Sequence, residues 1–385
     1  MFKRNRLPIG GGDLVHMSLE GLQIQLIAAV VAAACALPGV FLVLRRMAMM
    51  SDAISHAILP GIVLAFFITK NLSSPILIIA AAATGVLTVS LVELLNRTRL
   101  VNVDAAIGIT FPALFSIGVI LIARYAEDVH LDTDAVLLGE LAFAAFHRVA
   151  LFGVDIGPRA FWAMAAILII NIAFIKFFYK ELKLATFDAG LAATLGFSPG
   201  LIHYGLMTLV SITIVGAFDA VGSILVVALM IAPPATAYLL TDRLSRMIWL
   251  SGAFGIASGI SGYWLAHYLD ASIAGSMAMV TGVFFSLAFL FAPRRGIVAI
   301  AHRRVSQRWE FAQTMLAIHL FGHEGLPEAE RESHVNHLSS HLHWEPDFAR
   351  QVVRNAERRG FILNHDGRLD LTDQGREMAR LALVE

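Results

Sequence analysis

Nine stretches of this 385-residue chain read as runs of apolar residues, each close to the roughly 20 that a helix needs to cross a bilayer core about 30 Å thick. They fall at 19–44, 51–69, 74–95, 104–124, 159–179, 201–218, 221–240, 247–268 and 272–292. Such a chain has few structural options. In hydrocarbon every backbone N–H and C=O must be satisfied within the protein, which leaves helices or closed barrels. Continuous rather than alternating apolar runs of this length select helices. The expected fold is therefore an all-α polytopic membrane protein with nine transmembrane helices, or eight if the Gly/Pro-rich stretch 201–240 is partly re-entrant. Composition agrees, with 57% hydrophobic and 15% charged residues, where a soluble domain carries about 25% charged. The first run starts near Leu22 and passes Leu42, too long for a cleaved leader. It reads as a retained span that follows an N-terminal segment, 1–18.

Basic residues stay on the cytoplasmic side of a membrane. Arg45/Arg46, Arg97/Arg99, Lys176/Lys180/Lys183, Arg243/Arg246 and Arg294/Arg295 occupy alternate loops, which places those loops in the cytoplasm. Glu127, Asp128, Asp132 and Asp134 lie on the opposite side. Lys3, Arg4 and Arg6 disagree, since nine spans put them outside; the loops that follow long runs decide the orientation. Segment 125–158 reads as an excursion outside the membrane, with a short amphipathic piece around 136–146.

After Pro293 the composition changes. From His302 to the end the chain carries 11 Lys and Arg, 13 Asp and Glu, and no run long enough to span. This predicts a separate cytoplasmic domain, 302–385, after the membrane domain, 19–295. Residues 347–359 pattern as a helix with Phe348, Val352, Val353 and Ala356 on one face, stopped by Gly360. Residues 361–363 and 369–371 read as strands around the turn Asn364-His365-Asp366-Gly367, and Thr372 as the cap of a final helix. Helix, two-stranded wing and helix make a small α+β, winged-helix-like domain.

The sequence offers little to an enzyme. No lysine follows a glycine, so the phosphate-gripping Walker A loop is missing, and ATP hydrolysis must fall to another subunit. Cys35 is the only cysteine, which excludes a disulfide framework or a thiolate cage within one chain. The informative polar residues are Asp52 and His56, four apart at the start of the second run. One helical face then presents a carboxylate oxygen and an imidazole nitrogen together. Mixed O/N donors suit manganese, zinc or ferrous iron, and an ionisable pair inside a span is a functional candidate. The same residues also fit a plain helix cap and a backbone-bonded imidazole. The polar–apolar stretch 180–199 reads as an amphipathic helix on the cytoplasmic surface, ended by Gly196, able to lie in a groove of a motor protein or to act as a simple connector. Eight of the 14 histidines lie in the tail. His334, His337 and His341 share one face if that stretch is helical, a pattern that fits a regulatory metal site as well as solvated histidines.

Together these pieces resemble the permease family of zinc, manganese and iron ABC importers. The resemblance rests on Leu44-Arg45-Arg46-Met47, on SDAISHAILPG at 51–61, on Asp104-Ala105-Ala106-Ile107-Gly108 and on Leu137-Leu138-Gly139. It continues through Phe187-Asp188 and VGSILVVALMIAPPATAYLLTDRL at 221–244, and covers roughly 18–295. It implies a bacterial cytoplasmic-membrane protein that pairs with a second permease, two cytoplasmic ATP-binding subunits and an extracytoplasmic metal-binding lipoprotein. No permanently bound cofactor is implied, and the divalent metal is cargo. It also implies that Asp52 and His56 line the metal path and that Phe187, Asp188 and Gly196 belong to the ATPase-coupling segment. Ser51 stands where the family usually has glycine, and the tail is an addition that resembles the winged-helix part of metal-dependent repressors. Its acidic balance argues against nucleic acid, which selects a basic face. Two rival readings are a membrane-tethered metal-responsive regulator and an ion-coupled secondary transporter.

Overall fold

Helix α1 (Leu19–Leu44) is apolar on every side, and a helix of that kind must be surrounded by protein or lipid. The computed structural model, which describes residues 19–70, 74–125, 141–144, 148–151, 154–327 and 332–384, surrounds it with protein. Ile27, Val31, Cys35 and Leu42 are fully buried, as are Ala28, Ala32 and Ala36. After α1 come α2 (Met49–Ala57), α3 (Leu59–Thr69), α4 (Pro75–Arg97) and α5 (Val103–Tyr125). The short α6 (Leu141–Ala144) and the hairpin β1 (Arg148–Leu151) and β2 (Val154–Pro158) precede α7 (Arg159–Phe177). Two short helices, α8 (Tyr179–Phe187) and α9 (Ala189–Thr194), lead into α10 (Pro199–Val221), α11 (Ser223–Leu240), α12 (Leu244–Leu269) and α13 (Ile273–Phe291).

Helices α7, α10, α11 and α12 pack around α1. Within a bilayer apolar side chains gain little by leaving lipid, so association relies on close packing and on bonds between helices. Both are visible. A Cβ on Gly255 or Gly259 would lie 3.1 Å from the Ala32 oxygen and 3.3 Å from the Ala28 carbonyl. One on Gly262 would lie 2.5 Å from Met277 Cα, and one on Gly39 2.0 Å from the Met230 oxygen. The buried Asn171 amide on α7 donates to the Ala34 oxygen (2.8 Å) and to Thr213 Oγ1 on α10 (3.1 Å). Ser251 Oγ on α12 donates to the Ala36 oxygen at 3.2 Å. Bonds of this type contribute on average about 0.6 kcal/mol each in membranes.

Among the described residues, eight helical stretches are long and apolar enough to cross a membrane: Gly21–Leu44, Met49–Thr69, Ile76–Arg97, Val103–Arg124, Arg159–Phe177, Pro199–Phe218, Ser223–Leu240 and Ile273–Phe291. The difference from nine arises at α12 rather than in 201–240, where two separate helices meet at Gly222, whose φ of +79° suits glycine. Helix α12 has 26 residues, about 39 Å of rise. The small residues that let it approach α1 and α13 lower its hydropathy. The hairpin β1–β2 adds strands to 125–158, which the sequence gives as an excursion outside the membrane with a short amphipathic piece around 136–146. The acidic residues Glu127, Asp128, Asp132 and Asp134, the motif Leu137-Leu138-Gly139 and the basic Lys3, Arg4 and Arg6 lie outside the described residues.

The chain divides into two compact units, with the break between Ala292 and Pro293. The second opens with α14 (Ile297–His323), ahead of the expected start at His302. It continues through a 3-10 turn (Val335–His337), α15 (Leu338–His341), α16 (Pro346–Arg358), β3 (Ile362–His365), β4 (Arg368–Leu371) and α17 (Asp373–Val384). Its core gathers Leu316, Leu320, Leu338, Val352, Ile362, Leu369 and Ala379. The turn of the hairpin is tighter than the four residues read from sequence. Only Asp366 and Gly367 separate the strands, with φ of +51° and +96°, the double positive φ of a type I′ turn. Thr372 Oγ1 accepts from the Gly375 amide at 3.1 Å and so caps α17.

The packing around α1 makes two glycines behave oppositely. Gly39→Ala forces a methyl against a backbone carbonyl and should cost about 1–3 kcal/mol. Gly282→Ala meets open space and should gain up to about 1 kcal/mol from lost backbone freedom in the unfolded chain. Unfolding midpoints in mixed micelles titrated with SDS read the difference. Equal midpoints would count against the close α1–α11 approach.

Candidate functional site

Within the second span α2 and α3 are set apart at Ile58, whose backbone stays helical (φ −71°, ψ −17°). Helix α2 ends at Ala57 and α3 starts at Leu59, with Pro60 in its first turn. Proline has no N–H and cannot donate to the carbonyl four residues back, which here belongs to His56. Asp52 and His56 therefore sit on the half-helix just before the interruption. Their side chains meet at 3.5 Å, His56 Nε2 to Asp52 Oδ1, with each about one-third exposed. Asp52 is not at the cap: that position is Ala48, without a side-chain cap bond, while Ser51 Oγ donates to the Ala48 oxygen at 2.8 Å. The His56 ring lies between Phe111 and Phe115 of α5, at centroid distances of 6.1 and 6.0 Å, the second edge-on. These phenylalanines, which sequence reasoning missed, hold the imidazole from a helix far along the chain. Asp219 lies near the end of α10.

Phe187, Asp188 and Gly196 fall in one short region. Phe187 ends α8, Asp188 links α8 to α9, and Gly196 follows α9 with φ +85°. Asp188 has a role that sequence did not suggest: its Oδ1 accepts from the Leu191 amide at 2.9 Å and caps α9. Around it Phe187, Leu191, Leu195 and Phe197 are exposed, an apolar ridge on a helical turn. Arg45 ties this segment down. Its Nε donates to Thr186 Oγ1 at 3.1 Å, and its Nη1 lies 3.2 Å from His203 Nδ1 on α10.

Of the three tail histidines, two come together and one does not. His337 and His341 lie 5.5 Å apart between ring centroids. His334 is in extended backbone before the 3-10 turn, bridges to Arg368 and places its ring beside Gly367. The expected shared face of His334, His337 and His341 therefore does not form. Backbone bonds from Val335 N to the Gly367 oxygen (3.0 Å) and from Leu369 N to the Ser333 oxygen (2.9 Å) fix that arrangement. His319 and His323 of α14 take the vacant side, with centroids 4.8 Å apart. Burial lowers the His319 pKa, so its ring is neutral at pH 7.

The family model described as the ABC 3 transport family matches residues 19–292. The chain belongs to that family. It is a multi-pass permease of the bacterial cytoplasmic membrane and is not itself catalytic. The zinc transport system membrane protein TroD of Treponema pallidum (strain Nichols) is 47% identical over 362 residues, 94% of this chain and 98% of that protein. The manganese transport system membrane protein MntD of Bacillus subtilis (strain 168) is 49% identical over 282 residues, 73% of this chain and 95% of that protein. A match of that extent leaves no room in MntD for a tail of this size, whereas the match to TroD must include most of the second unit. The solved structure of PsaBC from Streptococcus pneumoniae in complex with Fab aligns with a TM-score of 0.60 at 29% identity, covering 72% of this chain and 94% of that one.

The cap at Asp188 gives the permease a local test. Asp188→Ala should destabilise α9 by about 1 kcal/mol, while Asp188→Asn should lose only a few tenths. Hydrogen exchange at the Leu191 amide would rise about fivefold in the alanine variant. Unchanged protection there would remove the capping role.

Proposed function

We propose that this permease carries a divalent transition metal, manganese, zinc or iron, into the cell as half of an ATP-driven importer. The observation that carries the reading is the Asp52–His56 pair, 3.5 Å apart on an interrupted span. Broken helices recur at the binding sites of transporters, where freed backbone groups join side chains in holding the ion. A carboxylate and an imidazole suit these metals. Two donors from each permease hold the ion without caging it, so that it can leave. Relatives named for zinc and manganese transport support the same cargo.

The remaining parts follow from this reading. A second permease, identical or related, supplies the matching donors. An extracytoplasmic metal-binding protein delivers the ion, and cytoplasmic ATP-binding subunits dock on the apolar ridge around Asp188. Their closure, transmitted through 187–196 and the Arg45 tie, reopens the path to the cytoplasm. Helix α12 counts as a ninth span: only if α12 and α13 both cross do Arg243/Arg246 and Arg294/Arg295 share one side. Residues 19–295 form the transport domain, and 302–385 a winged-helix-like cytoplasmic domain outside the path. The helix, tight hairpin and capped helix at 346–384 support that assignment.

Asp52→Asn and His56→Ala should each reduce metal uptake by about tenfold or more, equivalent to at least about 1.4 kcal/mol, with copurification of the ATPase unchanged. Wild-type uptake in both variants would refute the path assignment. Asp188→Arg should separate ATP hydrolysis from uptake, because a reversed charge disfavours docking. Normal coupling in that variant would refute the docking role. A permease ending after Arg295 should still import metal, and loss of uptake on truncation would place the tail in the transport machinery.

A further inference from the structure

The second unit holds a cluster of ligating side chains other than the Asp52–His56 pair. Helix α14 presents His319 and His323 one turn apart, while the 3-10 turn and α15 present His337 and His341. The two pairs face each other, with His341 5.9 Å from His319 and 6.4 Å from His323 between ring centroids. Glu332 enters between them. Its Oε2 lies 3.8 Å from His319 Nε2 and 3.9 Å from His337 Nδ1, and its Oε1 lies 3.5 Å from His341 Nε2. The ligand atoms of His319, His323 and Glu332 are all within 4.8 Å of one another, and so are those of Glu332, His337 and His341.

A buried carboxylate normally has its oxygens filled by donors at hydrogen-bond distance. Glu332 is only 6% exposed, yet its Oε2 is buried without a hydrogen-bond partner, as is His323 Nδ1. An unsatisfied buried acceptor costs about 1–3 kcal/mol, more when charged. His319 Nε2 lies 3.3 Å from the Glu332 backbone oxygen, but the side-chain separations of 3.5–3.9 Å are too long for good hydrogen bonds. They do approach the distance between two donors on one tetrahedral ion, about 3.3–3.6 Å when each bond is near 2.0–2.2 Å. A cation held by Glu332 would satisfy its orphaned Oε2.

We propose that Glu332, with histidines drawn from the pairs His319/His323 and His337/His341, binds a divalent first-row transition metal. Imidazole-dominated donors around one carboxylate select zinc and its neighbours over magnesium or calcium. This site is separate from Asp52 and His56 and stands whether or not that pair carries cargo. His334 is not part of it, although sequence spacing grouped it with His337 and His341.

The experiment uses the full chain in detergent micelles, stripped with a chelator. Zinc is titrated in competition with a chromophoric chelator, and cobalt(II) is added in parallel to report the ligand field by visible absorption. Glu332→Gln, which keeps size and shape, and His341→Ala, at a half-exposed position, should each weaken zinc binding about 10–100-fold and abolish the tetrahedral cobalt bands. His334→Ala and the double variant Asp52→Asn/His56→Ala should retain both signals. Wild-type binding in Glu332→Gln and His341→Ala, or loss of the cobalt bands in the Asp52/His56 double variant, would overturn the proposal.

Discussion

Everything in the membrane unit depends on how closely other helices approach α1. Lipid offers no hydrophobic reward for bringing helices together, so contact must come from surfaces that fit at backbone range. Alanines and a glycine on α1 accept the glycine face of α12 and the Met230 carbonyl of α11. Asn171 and Ser251 add bonds to α1 carbonyls from two other helices. The result is a centre with little freedom to repack. Helices such as α5 and α7 are far less covered, so their outer faces meet lipid or another protein.

That close-packed centre also positions the two candidate regions. Arg45 follows α1 directly and holds α8 and α10 together at one end. The α2–α3 span, which bears Asp52 and His56, packs on α4 and α5, and α2 also meets α10 and α11.

The sequence made most of this legible where one local rule applied. Run length identified the spans, i,i+4 spacing paired Asp52 with His56, and Asn364-His365-Asp366-Gly367 marked the hairpin. It was less legible where tertiary packing overrode the local rule. Helix α12 falls short in hydropathy because its buried face is built from glycine and serine, the residues that close approach demands. Phe111 and Phe115 reach His56 through a long-range contact that no spacing announces. His334 fits a helical period with His337 and His341, but pairing with β4 holds it extended. His319 and His323 were available as an i,i+4 pair, and only the fold brings them to Glu332. Asp188 could have been read as a cap from its place three residues before Leu191, had the break between α8 and α9 been recognised.

The break between Ala292 and Pro293 carries a thermodynamic consequence. One core is built for a lipid surround, with large apolar side chains turned outward, and the other around a small apolar nucleus within a charged, water-compatible surface. Agents that disrupt one act differently on the other. Acyl-chain length and detergent bear on the first, urea and salt on the second. Such a chain does not melt as a single cooperative system, so one melting temperature or one free energy of unfolding is not a defined property of it. Its stability is a pair of quantities, each belonging to its own solvent.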